Sequence, residues 1–233
     1  WSAKSKVIEN ANFRFFAQFF ENHGMLNLND RPQWQVIKGG SKQYIVKLIE
    51  SFKNNIRINS PVDKIIRKNE GVEIVFNKQQ KKVYDRVIIA THSDQALKMI
   101  ENPSYLEIEI LSAIPYQTNV AYLHWDCSVL PKQKNAWASW NYFKPKKIRD
   151  ETTVTYYMNM LQNLDMPKNI CVSLNMEEHI DAKKIFKKII YQHPVFTSEA
   201  ILAQKRHKEI DGVDKLHFCG AYWGSGFHED GLN

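Results

Sequence analysis

Apolar residues recur along the chain at two spacings. Phe13, Phe16 and Phe20 fall at i, i+3 and i+7, with Phe15 and Phe19 beside them, which predicts an aromatic helix ended by Gly24 as its C-cap. Such a helix is either a core element or the wall of an apolar pocket. Asp30-Arg31-Pro32 reads as a turn and Trp34 to Ile37 as a short strand. Gly39-Gly40-Ser41 follows, then a second helix with Tyr44, Ile45, Leu48, Ile49 and Phe52 on one face and Ser41 as N-cap. From there the period shortens. Ile56 and Ile58 alternate in a strand broken at Ser60-Pro61, and Val62 to Ile66 begins another. Gly71 is a hairpin turn, with Val72, Ile74 and Phe76 alternating beyond it.

Val87 to Ala90 is a run of four apolar residues, which predicts a strand buried on both faces, as in a parallel sheet. Ser93 caps a helix through Ala96, Leu97 and Ile100, and Leu106 to Ile114 is helical. Strands over Thr118–Trp125, Ala136–Phe143, Thr152–Met158 and Ile170–Leu174 predict an antiparallel sheet separate from the parallel one. Ile180 to Tyr191 fits either helix or strand, and Thr197 to Ala203 is helical. Leu216 to Cys219 is a last strand, entering a glycine-rich, acid-ending run from Gly220 to Gly231.

Composition narrows the classes. The chain has 233 residues, 43% hydrophobic and 24% charged, enough for a packed core in one large domain or two small ones. Nine glycines exclude a collagen-like chain, and no set of them has the G-x-G-x-x-G spacing of a dinucleotide loop. The net charge of +7 is carried mainly by lysines interspersed with acids. Specific nucleic-acid sites favour the planar arginine fork, so no nucleic-acid partner is expected, whereas contact with an anionic membrane surface fits the charge. The three cysteines lie far apart without a C-x-x-C, so neither a zinc knuckle nor a redox dithiol is indicated. Their odd number predicts reduced thiols and a cytoplasmic setting. No apolar run approaches the ~18–20 residues that span a bilayer.

Candidate chemistry is sparse. His228-Glu229 has no second histidine at helical spacing, so no metal site is expected. Asp126 and Cys127, after His124-Trp125, suggest either a thiol nucleophile or a packed cysteine. Trp125, Trp137 and Trp140 either line an apolar tunnel or pack the sheet. The Gly39-Gly40 pair before a helix either admits a ligand close to the backbone or is only a tight turn.

Taken in order, strand-Gly39-Gly40-helix, the apolar strand before Thr91, and strand-Gly220 with its glycine-rich run resemble the flavin-containing amine oxidase superfamily. That group includes monoamine oxidases, protoporphyrinogen oxidases and carotenoid desaturases. The chain is most similar to a bacterial branch of FAD-binding proteins that accompany cyclopropane fatty-acid synthases. Asn22-His23-Gly24-Met25-Leu26, Arg31-Pro32-Gln33-Trp34, Gly39-Gly40-Ser41 with Tyr44, Ala113-Ile114-Pro115-Tyr116-Gln117 and Gly224 to Gly231 carry the likeness.

The resemblance implies an α/β fold with α+β elements. Part of a Rossmann-like FAD-binding domain would be interleaved with a substrate domain of mixed sheet and helices. On that basis residues 1–37 form a substrate-domain helix and connector. Residues 38–100 form part of the FAD-binding domain, 101–205 the substrate domain, and 206–233 the truncated end of the FAD-binding domain. The family's cofactor positions carry over to Gly39 and Gly40 near the flavin and Val62 at the adenine. Ala90 and Thr91 match a strand end, and Gly220 the position at the pyrophosphate. Phe227 and His228 match the segment over the isoalloxazine, and Glu229, Asp230 and Gly231 the start of the last helix. The absence of a G-x-G-x-x-G unit and the start at Trp1 then read together as a chain cut after its first βαβ unit. The chain alone would bind FAD poorly and be inactive.

Cys219 falls on the strand and not at the covalent-flavin position, so non-covalent FAD is expected. The amine-orienting pair of tyrosines is not evident. The implied function is an FAD-dependent oxidoreductase whose flavin accepts a hydride from an apolar or lipid-like substrate. The expected location is cytoplasmic, with peripheral membrane contact compatible. The alternative is a non-enzymatic module that keeps the fold for binding or for a membrane surface. No side chain is singled out as catalytic.

Overall fold

A computed structural model describes residues 13–22, 24–29, 33, 35–142 and 153–232. In chain order the elements begin with α1 (Phe13–Asn22), α2 (Lys42–Leu48), β1 (Val62–Lys68), β2 (Gly71–Phe76), β3 (Gln80–Tyr84) and β4 (Val87–Ile89). Next come α3 (Ser93–Met99), α4 (Tyr105–Ser112), β5 (Tyr116–His124), β6 (Trp140–Tyr142), β7 (Val154–Tyr157) and α5 (Met158–Leu161). The chain finishes with β8 (Cys171–Leu174), β9 (Ile185–Pro194), α6 (Ser198–Lys205) and β10 (Leu216–Phe218). This mixed α/β architecture divides into two compact units. One holds the described residues within Asn27–Ser51 and Tyr116–His193; the other holds those within Ala11–Leu26, Phe52–Pro115 and Pro194–Asn233.

The first unit is built on a five-stranded sheet in the order β6-β7-β8-β5-β9. The pairings β6–β7, β7–β8 and β5–β8 are antiparallel. The register lines up Tyr122, Ser173 and Thr155 as one rung, and His124, Cys171 and Tyr157 as the next. Partners across a ladder project to the same face, so this face mixes rings, hydroxyls and a thiol. Tyr122, Val129, Met176 and Ile180 form its apolar core, with Val120 and Ile185 packed against it. The ambiguous stretch after Ile180 resolves as strand β9, because Ile185 has that core to cover. The tryptophan-rich strand is shorter than expected: Lys134–Ala136 is a 3-10 turn, and Trp137 Nε1 donates to Pro131 O at 2.8 Å. With Ala136 N and Trp137 N bonded within that turn, to Gln133 O and Lys134 O at 3.0 Å, the backbone offers no ladder there. Phe143 and Thr152, expected at strand ends, lie outside the described residues.

In the same unit, α2 follows the Gly39-Gly40 turn, where Gly40 N donates to Ile37 O at 2.8 Å. Ser41 has helical angles and makes no side-chain cap bond, so it does not serve as the expected cap. The helix ends at Leu48 and does not reach Phe52, and it buries none of its residues. Residues 35–37 form no strand. The turn expected at Asp30 to Pro32 lies outside the described residues, as does Trp34.

The second unit contains the antiparallel β1-β2-β3 sheet and a parallel pair, β4 with β10. Gly71 opens β2, so the turn is Asn69-Glu70. A glycine is needed there because a Cβ would stand 2.5 Å from Tyr84 O on β3. Ile56 and Ile58 are exposed and unladdered after a 3-10 turn at Lys53–Asn55. Alternation makes a strand only where a neighbour supplies hydrogen bonds, and Pro61 ends the run first. In β4 the expected burial on both faces fails: Val87 and Ile89 are buried, but Ile88 is 68% exposed. A two-stranded sheet in this unit has one packed face, and Ile88 sits on the other.

Helix ends account for much of the rest. Helix α1 closes on Gly24 (φ 62°), with Gly24 N bonded to Glu21 O and Met25 N to Phe20 O, both at 2.9 Å. That is a Schellman ending. Helix α3 starts one residue earlier than read, with His92 at the cap and Ser93 buried inside the first turn. Helix α4 has a full capping box that the apolar pattern missed: Glu107 N donates to Ser104 Oγ, and Ser104 N to Glu107 Oε2. Glu107 also pairs with Arg67 of β1, which joins α4 to the sheet within the unit.

Candidate functional site

Strands β4 and β10 run the same way, with Leu216 opposite Val87, His217 opposite Ile88 and Phe218 opposite Ile89. Cys219 N continues the ladder to Ile89 O at 3.1 Å. The two chains therefore leave the sheet side by side, one into Ala90-Thr91 and the other into Cys219-Gly220. Asp211 secures the end of β10 by accepting from Phe218 N at 2.8 Å. His207 Nε2 lies 2.8 Å from Phe218 O, and its ring stacks on Trp223 with centroids 4.2 Å apart.

Past Gly220 the chain coils into a compact loop. Ala221–Trp223 is a 3-10 turn, and Gly226 N reaches back to Ala221 O at 3.1 Å. One oxygen of Asp230, Oδ2, accepts from both Ser225 N and Phe227 N at 2.9 Å. From the other side Gln204 Nε2 donates to Tyr222 O at 2.8 Å and to Gly224 O at 2.7 Å. The glycines are required by this packing. A Cβ on Gly220 would lie 2.4 Å from Tyr222 Cε1, and one on Gly224 would lie 2.5 Å from Asp230 Cγ.

The sequence-predicted residues distribute as follows. Ala90 and Gly220 stand at adjacent strand ends, and Thr91 follows Ala90. Gly231 returns to them: a Cβ there would be 3.6 Å from Ala221 N and 4.0 Å from Gly220 C. Phe227, His228 and Glu229 are exposed on the loop, and Glu229–Gly231 forms a 3-10 turn among the described residues. Asp230 faces inward and is occupied by the loop amides. Val62 is the first residue of β1 in the same unit, opposite Phe76. Gly39 (φ 81°) and Gly40 (φ 83°) belong to the first unit. A Cβ at Gly40 would meet nothing within 4 Å, so that backbone is open to close approach. Sequence reading missed Gln204 and Asp211, since a lone Gln on a helix and a lone Asp before a glycine carry no spacing signal.

The His124–Cys127 stretch is a second polar cluster. Asp126 N donates to His124 Nδ1 at 3.1 Å, so His124 carries its proton on Nε2, 2.8 Å from Ser173 Oγ. Ser173 then meets Thr155 Oγ1 at 2.7 Å, and Thr155 points to Met176 Sδ at 3.5 Å. The Asp126 carboxylate is taken by Ser128 N, Asp181 N and Lys184 Nζ. An imidazole whose Nδ1 accepts from an amide cannot relay a proton to a carboxylate, so the cluster is a packed network and not a nucleophilic triad.

Cys127 sits in a 3-10 turn, and Cys171 is fully buried, its thiol pushed up to about 12 by burial first and then by Cys127 and Asp126. Native protein at pH 8 is therefore expected to leave Cys171 unlabelled by iodoacetamide, and unfolded protein to label it fully, as read by peptide mass spectrometry. Rapid native labelling of Cys171 would refute its burial. Among the described residues no group of three or more His, Cys, Asp or Glu is arranged to hold a metal ion. Also among them, no helix is long and apolar enough to cross a membrane.

The family described as flavin containing amine oxidoreductase matches residues 5–139. Cyclohexylamine oxidase from Brevibacterium oxydans IH-35A superimposes with a TM-score of 0.59 at 12% identity, over 96% of this chain and 58% of that one. A CLA-producing fatty acid isomerase from P. acnes gives 0.58 at 13% identity, over 82% and 49%. A redesigned putrescine oxidase gives 0.53 at 12% identity, over 83% and 50%. At these identities the likeness establishes the fold. The chain spans about half the length of these solved structures. No curated protein sequence matches it significantly.

Proposed function

Because the chain belongs to the flavin-containing amine oxidoreductase family, we propose that it belongs to an FAD-dependent oxidoreductase acting on an apolar or lipid-like substrate. The observation that carries this reading is the shared carboxyl edge of β4 and β10. In parallel α/β sheets a dinucleotide lies outside the carboxyl ends of the strands. Here Ala90 and Gly220 leave that edge together, and Gly231 returns against Gly220 with no side chain between them. A corner built from two glycine backbones, with the Tyr222 ring packed on one side of Gly220, is what the pyrophosphate and ribityl part of FAD would need. When bound, FAD supplies the hydride acceptor. The chain's own part is to orient it, through the backbone of Gly220 to Gly231.

Non-covalent attachment is supported by Cys219. Its amide is committed to Ile89 O, and burial, then Asp211, raises its thiol above the ordinary range, which keeps it protonated and a poor nucleophile. A lipid-like substrate is favoured over an amine by the fatty acid isomerase among the structural neighbours and by a sequence in which the amine-orienting tyrosine pair is not evident. The odd number of cysteines would favour a cytoplasmic setting, and the lysine-borne charge of +7 contact with anionic membranes rather than with nucleic acid.

The test is the colour of the protein purified at the length its gene encodes. Flavin absorption, with stoichiometric FAD released on denaturation and bleaching under anaerobic exposure to fatty-acid or amine candidates, is the expected result. A colourless protein that takes up no added FAD would overturn the reading in favour of a fold-retaining, non-enzymatic module.

A further inference from the structure

We infer that Gln204 is a positioning residue for the glycine-rich loop, fixing the orientation of two of its peptide groups and through them the affinity for FAD. This rests on the flavin reading above, which does not itself involve Gln204. Helix α6 is a firm base for such a role. Thr197 caps it by accepting from Ala200 N at 3.2 Å, and Ala200 and Ala203 are buried. Arg206, just past its end, is held by Glu109 of α4 at 2.8 Å and by Glu209 at 2.9 Å. Gln204 follows the buried Ala203 and spends both amide hydrogens on the loop, at Tyr222 O and Gly224 O.

A trans peptide is planar with its C=O and N–H opposed, so holding one end directs the other. The Gly224–Ser225 peptide is gripped at both ends: its carbonyl by Gln204 at 2.7 Å and its N–H by Asp230 at 2.9 Å. The Tyr222–Trp223 peptide is gripped likewise, its carbonyl by Gln204 and its N–H by Gly220 O at 3.0 Å. Two alternate peptide planes are therefore set from one side chain outside the loop. Gly224 has φ −124° and ψ −137°, and nothing else among the described hydrogen bonds holds its carbonyl. The loop runs directly into Phe227 and His228, the segment that the family places over the flavin ring.

The chemistry predicts an unusual order of substitutions. Gln204→Glu keeps the shape but sets a carboxylate oxygen against two carbonyl oxygens. Gln204→Lys changes the shape but restores donors. A side chain that served only as packing would tolerate glutamate and suffer from lysine.

The experiment uses the protein at gene length, with FAD as the probe and amide hydrogen exchange of residues 222–227 in apoprotein as a second readout. Gln204→Glu is expected to raise the FAD Kd about tenfold or more, the fold-change equivalent to one lost hydrogen-bond partner. It should also speed exchange of Ser225 and Phe227, while Gln204→Lys stays within about threefold of wild type. Glutamate equal to wild type in both readouts, or lysine worse than glutamate, would overturn the inference. If wild-type protein bound no FAD, the flavin reading would fall. Exchange at Ser225 and Phe227 would then decide the clamp alone: faster in Gln204→Glu sustains it, unchanged removes it.

Discussion

Asp126→Ala is expected to lower stability at pH 7 by about 2–4 kcal/mol, the range for removing a buried carboxylate that accepts three part-buried hydrogen bonds. Asp126 is 2% exposed and accepts from Asp181 N at 2.9 Å and Ser128 N at 3.1 Å, besides Lys184 Nζ at 3.0 Å. Its own amide also orients His124. Burial by itself would raise the Asp126 carboxyl, but the Asp181 and Ser128 amides and the Lys184 ammonium outweigh it and hold the group far below the usual carboxylate range.

A carboxyl depressed by folding stabilises fully above its unfolded value of ~3.9, and that contribution is lost as pH falls through lower values. Burial also lowers His124, against the pull of Asp126, so the unfolded chain takes up that proton first and stability begins to decline below about pH 6.5. Urea unfolding of wild type and variant should show a gap that is constant near neutrality and narrows below about pH 4. An unchanged midpoint for Asp126→Ala at pH 7 would show that the network contributes nothing.

Asp230→Ala is expected to weaken FAD binding about a hundredfold. Two amide bonds to a charged acceptor are lost together; screened as they are at a part-buried and an exposed position, they contribute about 2.7 kcal/mol between them, which corresponds to a hundredfold change. Because one oxygen, Oδ2, takes both Ser225 N and Phe227 N, asparagine can keep both bonds with its single carbonyl oxygen. Asp230→Asn is therefore expected to lose about tenfold at most, the share owed to charge. FAD titration of the three proteins at gene length gives the comparison. Equal affinity for alanine and wild type would mean that the loop's shape does not matter to the cofactor.

These two aspartates show how unevenly the sequence could be read. Asp230 was legible as part of a glycine-rich, acid-ending run, but its direction was not: it turns inward to its own loop. Asp126 was noticed only beside Cys127, and the residue that makes it matter, Asp181, is 55 positions away. Gln204 left no trace, because its two acceptors lie 18 and 20 residues further on and are backbone carbonyls, which any sequence supplies. The strand at Ile56–Ile58 and the double burial of Ile88 failed for a common reason. An apolar pattern, alternating at Ile56 and Ile58 or continuous over Val87 to Ala90, records which side chains could be covered, not whether a neighbouring strand or layer is present to cover them.

Elements whose signals are local could be read from the residues alone: the helix ended by Gly24, the β1–β2 hairpin, the strand Leu216–Phe218 and the glycine-rich loop. The order of motifs also pointed to the family, and the match over residues 5–139 agrees. Only the tertiary structure decided that β4 and β10, more than 120 residues apart in sequence by their register of Val87 with Leu216, lie parallel and end together. It alone decided that Gly220 and Gly224 are glycines for two different contacts, with the Tyr222 ring and with the Asp230 carboxylate. The physical reason is one of range. Caps, turns and periodicity are settled within a few residues. A ligand edge is made where distant strands end side by side, and the groups that shape it are recognised only by what they touch.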